Sequence, residues 1–170
     1  MLTRSLQGLE VGFFGLDITN HKVTLYSSGV KRFNATTRST VADAIVAVLR
    51  NPGTENRYLS IADITTSQIE MLSELEAQTG RQWLIAEQDA GEYHARGDAL
   101  WNQGDIPGAA RHWLVGNMFA DGHGTLVESL DNEVLGLKPR TLEDVVHEVL
   151  VRKGAISERK PARPGRSHRL

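Results

Sequence analysis

Cysteine is missing from all 170 residues. That excludes disulfides and thiolate chemistry and points to a cytoplasmic home. No apolar run approaches the roughly 18 to 20 residues that a membrane-spanning helix needs, so no membrane partner is expected. The opening MLTRSLQGLEVGFFGLD has a single Arg and no small-residue cleavage site, so no signal peptide is expected either. Several chemical signatures are also missing. There is no G-x-x-x-x-G-K-[ST] phosphate loop and no G-x-S-x-G serine elbow. His147-Glu148 begins like a zinc-binding H-E-x-x-H, but Val151 stands where the second His belongs. The other histidines show no ligand spacing. A Tyr with a Lys four residues on would lower a phenol's pKa, but Tyr26, Tyr58 and Tyr93 are followed there by Val30, Ala62 and Gly97. Gly8, Gly12 and Gly15 are spaced like a phosphate-binding turn, yet only MLTRSLQ precedes them, and such a turn needs a buried strand before it and a helix after it. No catalytic set, no cofactor-binding set and no metal ligands are assigned from these residues.

Charge is unevenly spread. Residues 152–170 hold seven basic residues and one acid, whereas residues 1–151 hold 12 basic against 20 acidic, a balance of −8. The tail is Pro, Arg, Ser and Gly with almost nothing to bury, so 152–170 is expected to be a disordered basic tail and 1–151 the folded body. The acidic body gives no support for a nucleic-acid partner.

What is present reads as strands alternating with helices, then helices alone. Lys22–Tyr26 alternates like a strand and ends in Ser27-Ser28-Gly29. Thr40-x-x-Asp43 resembles a capping box, followed by Val41, Ala44, Ile45, Val48 and Leu49 at helical spacing and stopped by Asn51-Pro52-Gly53. A second strand is expected over Arg57–Ala62. Ser67-x-x-Glu70 opens a helix with Ile69, Leu72, Leu75 and Met71 inward and Gly80 as its left-handed cap. A third strand is expected over Gln82–Glu87, then helices over Gly91–Gln103 and Pro107–Met118. A last helix is opened by Thr141-x-x-Asp144. The pattern is that of an α/β protein with a helical appendage.

One group of residues has the composition of a ligand pocket. Phe13, Phe14, Trp113 and Phe119 offer apolar walls, while Asp121 and His123 offer polar handles on the glycine-flexed loop Asp121-Gly-His-Gly124. These six are the candidate substrate-binding residues. His123 ordinarily titrates near neutral pH and is the candidate proton donor.

The stretches GFFGLDITNHKVTLYSSG, NRYLSIADITTSQIEMLSELEAQTGRQW and MFADGHGTLVESLDNEVLGLKPRTLEDVVHEVL resemble the C-terminal half of NmrA-like proteins, near the oxidoreductases grouped with isoflavone reductases. The resemblance runs from about Gly12 to Leu150. In that family a front Rossmann domain carries the glycine-rich NADP loop, and the isoflavone-reductase branch has a catalytic Lys there; neither maps onto this sequence. The resemblance therefore implies a partial Rossmann-like fold, the late strands of a largely parallel sheet, plus a small helical substrate domain. It implies NADPH-dependent reduction of a small aromatic or unsaturated substrate, with NADP not bound, and the reaction not run, by this chain alone. The alternative it implies is a non-catalytic, NmrA-type regulatory or binding module. A sheet without its front half would leave Tyr58–Ile61 and the apolar faces of the capped helices uncovered. A protein partner or a second copy is expected to cover them.

Overall fold

The computed structural model describes residues 12, 14–121, 126–138 and 140–157. Phe13 and His123 lie outside the described residues, as does the tail from residue 158 onward. Five strands and five α-helices are present among the described residues: β1 (Leu16–Asp17), β2 (Lys22–Tyr26), β3 (Phe33–Ala35), α1 (Arg38–Arg50), β4 (Ile64–Thr66), α2 (Gln68–Thr79), β5 (Leu84–Gln88), α3 (Ala90–Asn102), α4 (Ile106–Phe119) and α5 (Leu142–Arg152). The α/β class expected from the sequence is the one observed. Parallel pairing is confined to β2 and β5, in register from Lys22 opposite Leu84 to Tyr26 opposite Gln88. β1 joins β2 antiparallel, and β3 and β4 form a separate antiparallel pair. No described helix is long and apolar enough to cross a membrane.

Two of the three expected caps form as the sequence predicts. Ser67 and Glu70 close a reciprocal capping box on α2, and Gly80 ends that helix at φ 65°. Thr141 caps α5 through the Asp144 N–H. The third expectation needs correction. α1 starts at Arg38, capped by Thr37, and Thr40 lies inside its first turn. A distant carboxylate sets that start. Asp63 is buried and accepts from the Thr37 N–H with one oxygen and from the Thr40 hydroxyl, at 2.6 Å, with the other. A charge here is favourable because the helix N-terminus carries partial positive charge. Replacing Asp63 with Ala would strand a buried N–H and a buried hydroxyl. At about 1–3 kcal/mol for each unsatisfied group, Asp63→Ala is expected to cost about 2–4 kcal/mol in urea unfolding, and Asp63→Asn less, because one acceptor survives. Equal, negligible losses would remove Asp63 from this role.

The strand expected over Arg57–Ala62 does not form, although the segment makes sheet-like bonds. Ser60 exchanges bonds with Asp131, its N–H donating to the carboxylate at 2.8 Å and its carbonyl accepting from the Asp131 N–H at 2.7 Å. The Asn132 side-chain amide grips both polar groups of Ala62, at 3.2 and 2.6 Å. Side chains of a turn thus supply what a neighbouring strand would have supplied. Tyr58 is fully exposed.

The core lies between the sheet, α2, α4 and α5. It is built from Leu16, Val23, Met71, Leu75, Val115, Met118, Val146 and Leu150 among others. The expected inward face of α1 is not inward. Ala44 is buried, but Ile45, Val48 and Leu49 are exposed, Leu49 by 82%.

Candidate functional site

A continuous row of rings runs from the core to the carboxyl end of β2. Phe14 stacks on Phe33 with centroids 5.2 Å apart, and Phe33 meets Phe119 edge-on at 5.7 Å. Phe119 stacks on Tyr26 at 5.4 Å, Tyr26 meets Tyr93 at 5.0 Å, and Tyr93 stacks on His112 at 4.2 Å. Tyr26 is the last residue of β2 and Tyr93 lies in the first turn of α3, so the row sits outside the carboxyl ends of the parallel pair. Open α/β sheets place their ligands at that end. The approach of α3 to α4 that brings Tyr93 onto His112 depends on two glycines. A Cβ at Gly116 would lie 2.4 Å from that of His94, and one at Gly97 would lie 2.5 Å from the Trp113 ring.

The polar edge of the row is formed by the phenols of Tyr26 and Tyr93, the His112 ring and Lys31. Burial first, then the charge and hydrogen bond of the Tyr93 phenol, raise the Tyr26 pKa well above its ordinary value; Arg111 pulls weakly the other way. Tyr26 therefore stays protonated at any physiological pH and can donate a hydrogen bond. The His112 Nδ1 faces the Gly108 carbonyl at 2.8 Å. The Lys31 ammonium donates to the Ala120 carbonyl and ties the C-terminal end of α4 to the turn after β2.

The structure separates the residues that the sequence grouped. Phe14 and Phe119 are each 1% exposed and belong to the ring row, linked through Phe33. Asp121 is exposed, one residue past the Ala120 carbonyl that Lys31 holds. Trp113 faces elsewhere: it packs on Trp101 at 5.5 Å and donates to Asp98 at 3.0 Å within the α3–α4 pair. His112 is half-buried against Tyr93. Sequence reasoning missed Tyr26, Tyr93, His112 and Lys31, because the ring and carbonyl contacts that bring them together span 19 to 93 positions and no local spacing marks them. A second cleft of about 680 Å³ lies between α1 and the segment before α5, lined by Asp43, Val46, Arg50, Leu135 and Lys138 among others.

The described turns from strand to helix, where a dinucleotide's phosphates would sit, do not fit them. Every described turn from strand to helix already has a carboxylate at its helix N-terminus: Asp63 on α1, Glu70 on α2, and Asp89 with Glu92 on α3. Those charges occupy the N–H groups that a pyrophosphate would need and repel it. The Gly12–Gly15 turn leads into the β1–β2 hairpin, with the Gly15 N–H bonded to the Gly12 carbonyl at 3.2 Å.

No protein-family model matches the chain. The oxidoreductase poxI of Penicillium oxalicum is 31% identical over 142 residues, covering 80% of this chain and 45% of that protein. Among solved structures, the NADPH-dependent quinone oxidoreductase QOR2 of Escherichia coli superposes with a TM-score of 0.59 at 17% identity, over 86% of this chain and 52% of that one. The Citrobacter sp. triphenylmethane reductase complexed with NADP(H) superposes at 0.58 and 17% identity, over 87% and 48%. The chain is similar in sequence to part of a curated oxidoreductase and shares the fold of part of these two reductases. It spans about half the length of the curated relatives it matches.

Proposed function

We propose that this chain is the substrate-side, C-terminal half of an NmrA-like, isoflavone-reductase-like oxidoreductase. The ring row would form the wall against which a small aromatic or unsaturated substrate lies. NADPH would be held by a nucleotide-binding half that the described residues do not supply. The observation that supports this reading best is the pair of uncovered features. The apolar stripe of α1 and the Tyr58 side chain are exposed in a chain that matches about half of each reductase it resembles. When bound, the cofactor supplies a hydride; this half would orient the acceptor and hold a proton near it.

NADPH titrated into this chain alone should give no micromolar binding, whereas this chain joined to the remaining part of a curated relative should bind and oxidise NADPH with an unsaturated acceptor. Micromolar binding by the chain alone would contradict the phosphate argument. Binding without turnover in the joined protein would favour the second reading, a non-catalytic regulatory or binding module, which the carboxylate-blocked helix N-termini also support. In the joined protein, His123→Ala is expected to lower turnover at least tenfold, while His147→Ala leaves it unchanged. His147 is the better control because it sits on α5 beside Gln78, at 3.2 Å, whereas His112 supports the ring row. Equal, small effects would remove His123 from the chemistry.

A further inference from the structure

We propose that the end of the molecule opposite the ring row holds a separate site for a small oxyanion of the phosphate class. Three turns meet there: the β1–β2 hairpin, the link from α2 to β5, and the C-terminal turn of α5. They enclose a cleft of about 340 Å³ lined by Thr19, His21, Thr79, Arg81 and Lys153, with no carboxylate in its lining. β2 and β5 begin at this end, at Lys22 and Leu84, so the cleft lies at the amino ends of the parallel strands. The ring row lies at their carboxyl ends.

The donor set is the argument. Arg81 and Lys153 are exposed, and among the described residues neither has a carboxylate within ion-pair distance. The body of this chain carries 20 acids against 12 basic residues. A concavity with two permanent cations, an imidazole and two hydroxyls but no acid therefore runs against the charge of its surroundings. A guanidinium matches two oxygens of a phosphate at once, and an ammonium adds a compact charge. His21 sits at φ 51°, and its ring meets Trp83 edge-on at 5.7 Å. Trp83 is 6% exposed, and its indole N–H is a buried donor with no partner among the described residues. Trp83 itself is not part of the cleft lining, and the Thr79 hydroxyl already donates to the Leu75 carbonyl at 2.6 Å, so the donors free for a ligand are chiefly those of Arg81 and Lys153. The volume is at the low end for small-molecule sites, enough for pyrophosphate or a short phosphate ester.

A competing account is that Arg81 and Lys153 only offset the negative ends of α2 and α5. Calorimetric titration separates the two, using sodium pyrophosphate with the full chain in low-salt buffer and citrate in parallel. The expected result is pyrophosphate binding tighter than about 1 mM, with citrate at least tenfold weaker. The Arg81→Gln/Lys153→Gln variant should weaken pyrophosphate at least tenfold. Arg50→Gln/Lys138→Gln, which alters two cations of the other cleft, should leave it unchanged. The thermal midpoints of both variants without ligand check that folding is retained. Amide resonances of Thr19 and Gly154 should shift on titration. Absence of binding, equal weakening in both variants, or citrate binding as tightly as pyrophosphate would each overturn the assignment. The test uses no nicotinamide cofactor, so its failure leaves the reductase reading where it stands.

Discussion

Replacing Gln68 with Leu is expected to destabilise the fold by about 3–6 kcal/mol, more than any other single change to a described polar side chain. Gln68 is the first residue of α2 and is wholly buried. Its Oε1 accepts from the Tyr26 N–H at 2.9 Å, and its Nε2 donates to the Phe14 carbonyl at 2.7 Å and the Thr24 carbonyl at 2.9 Å. One amide thus satisfies three backbone groups from two neighbouring segments and joins the start of α2 to the sheet. Leu fills a similar volume but satisfies none of them, and each stranded buried group costs about 1–3 kcal/mol. Domains are stable by only about 5–15 kcal/mol, so the variant would retain a marginal fold. Gln68→Glu adds a pH signature. An ionised carboxylate would face two carbonyls in a buried site, so its folded pKa is raised and the folded state binds more protons than the unfolded state. Its stability should therefore fall as pH rises from about 4 toward 8. Urea unfolding measures both effects. A Gln68→Leu loss below about 1 kcal/mol would show that the three backbone groups find other partners.

The same residue shows where sequence reading stops. Ser67 and Glu70 were legible as a capping box because a helix start is a local event, settled within four residues. Gln68 lies between them and carries no local signal, since its partners are 42 to 54 positions upstream. α1 repeats the lesson. Thr40-x-x-Asp43 has the spacing of a cap, but Asp63 holds Thr37 and Thr40 together from 23 positions away from Thr40 and moves the start three residues earlier. The α/β class, the parallel strand that follows α2 and the inward face of α5 follow from periodicity, which a single sequence contains. The candidate site was half legible. Phe14 and Phe119 could be singled out as large apolar side chains beside a glycine-rich loop. The rings that join them into one row, Phe33 and Tyr26, come from β3 and β2, and only the folded chain brings those together.

The apolar stripe of α1 gives the prediction with the largest effect on assembly. Ile45, Val46, Val48 and Leu49 follow one another along an exposed helix, and the extended segment around Tyr58 has used only part of its backbone, on Asp131 and Asn132. A soluble surface has no use for such a stripe, whereas a helix lying on a covered sheet requires one. Ile45→Glu/Leu49→Glu should change the stability of this chain alone by no more than about 0.5 kcal/mol per site, the usual scale for exposed positions. If the nucleotide-binding half covers the stripe, the same pair of changes removes about 1.5–3 kcal/mol of burial at each position and brings two carboxylates into an apolar contact. Association of the two halves, expressed separately and measured by calorimetry, should then weaken by at least 100-fold, which corresponds to about 2.7 kcal/mol. A control pair on the opposite end, Arg81→Gln/Lys153→Gln, should leave association unchanged. Should both pairs bind the other half as tightly as the unaltered chain, the stripe would not be the covered face, and the segment around Tyr58 would remain as the place where the halves meet.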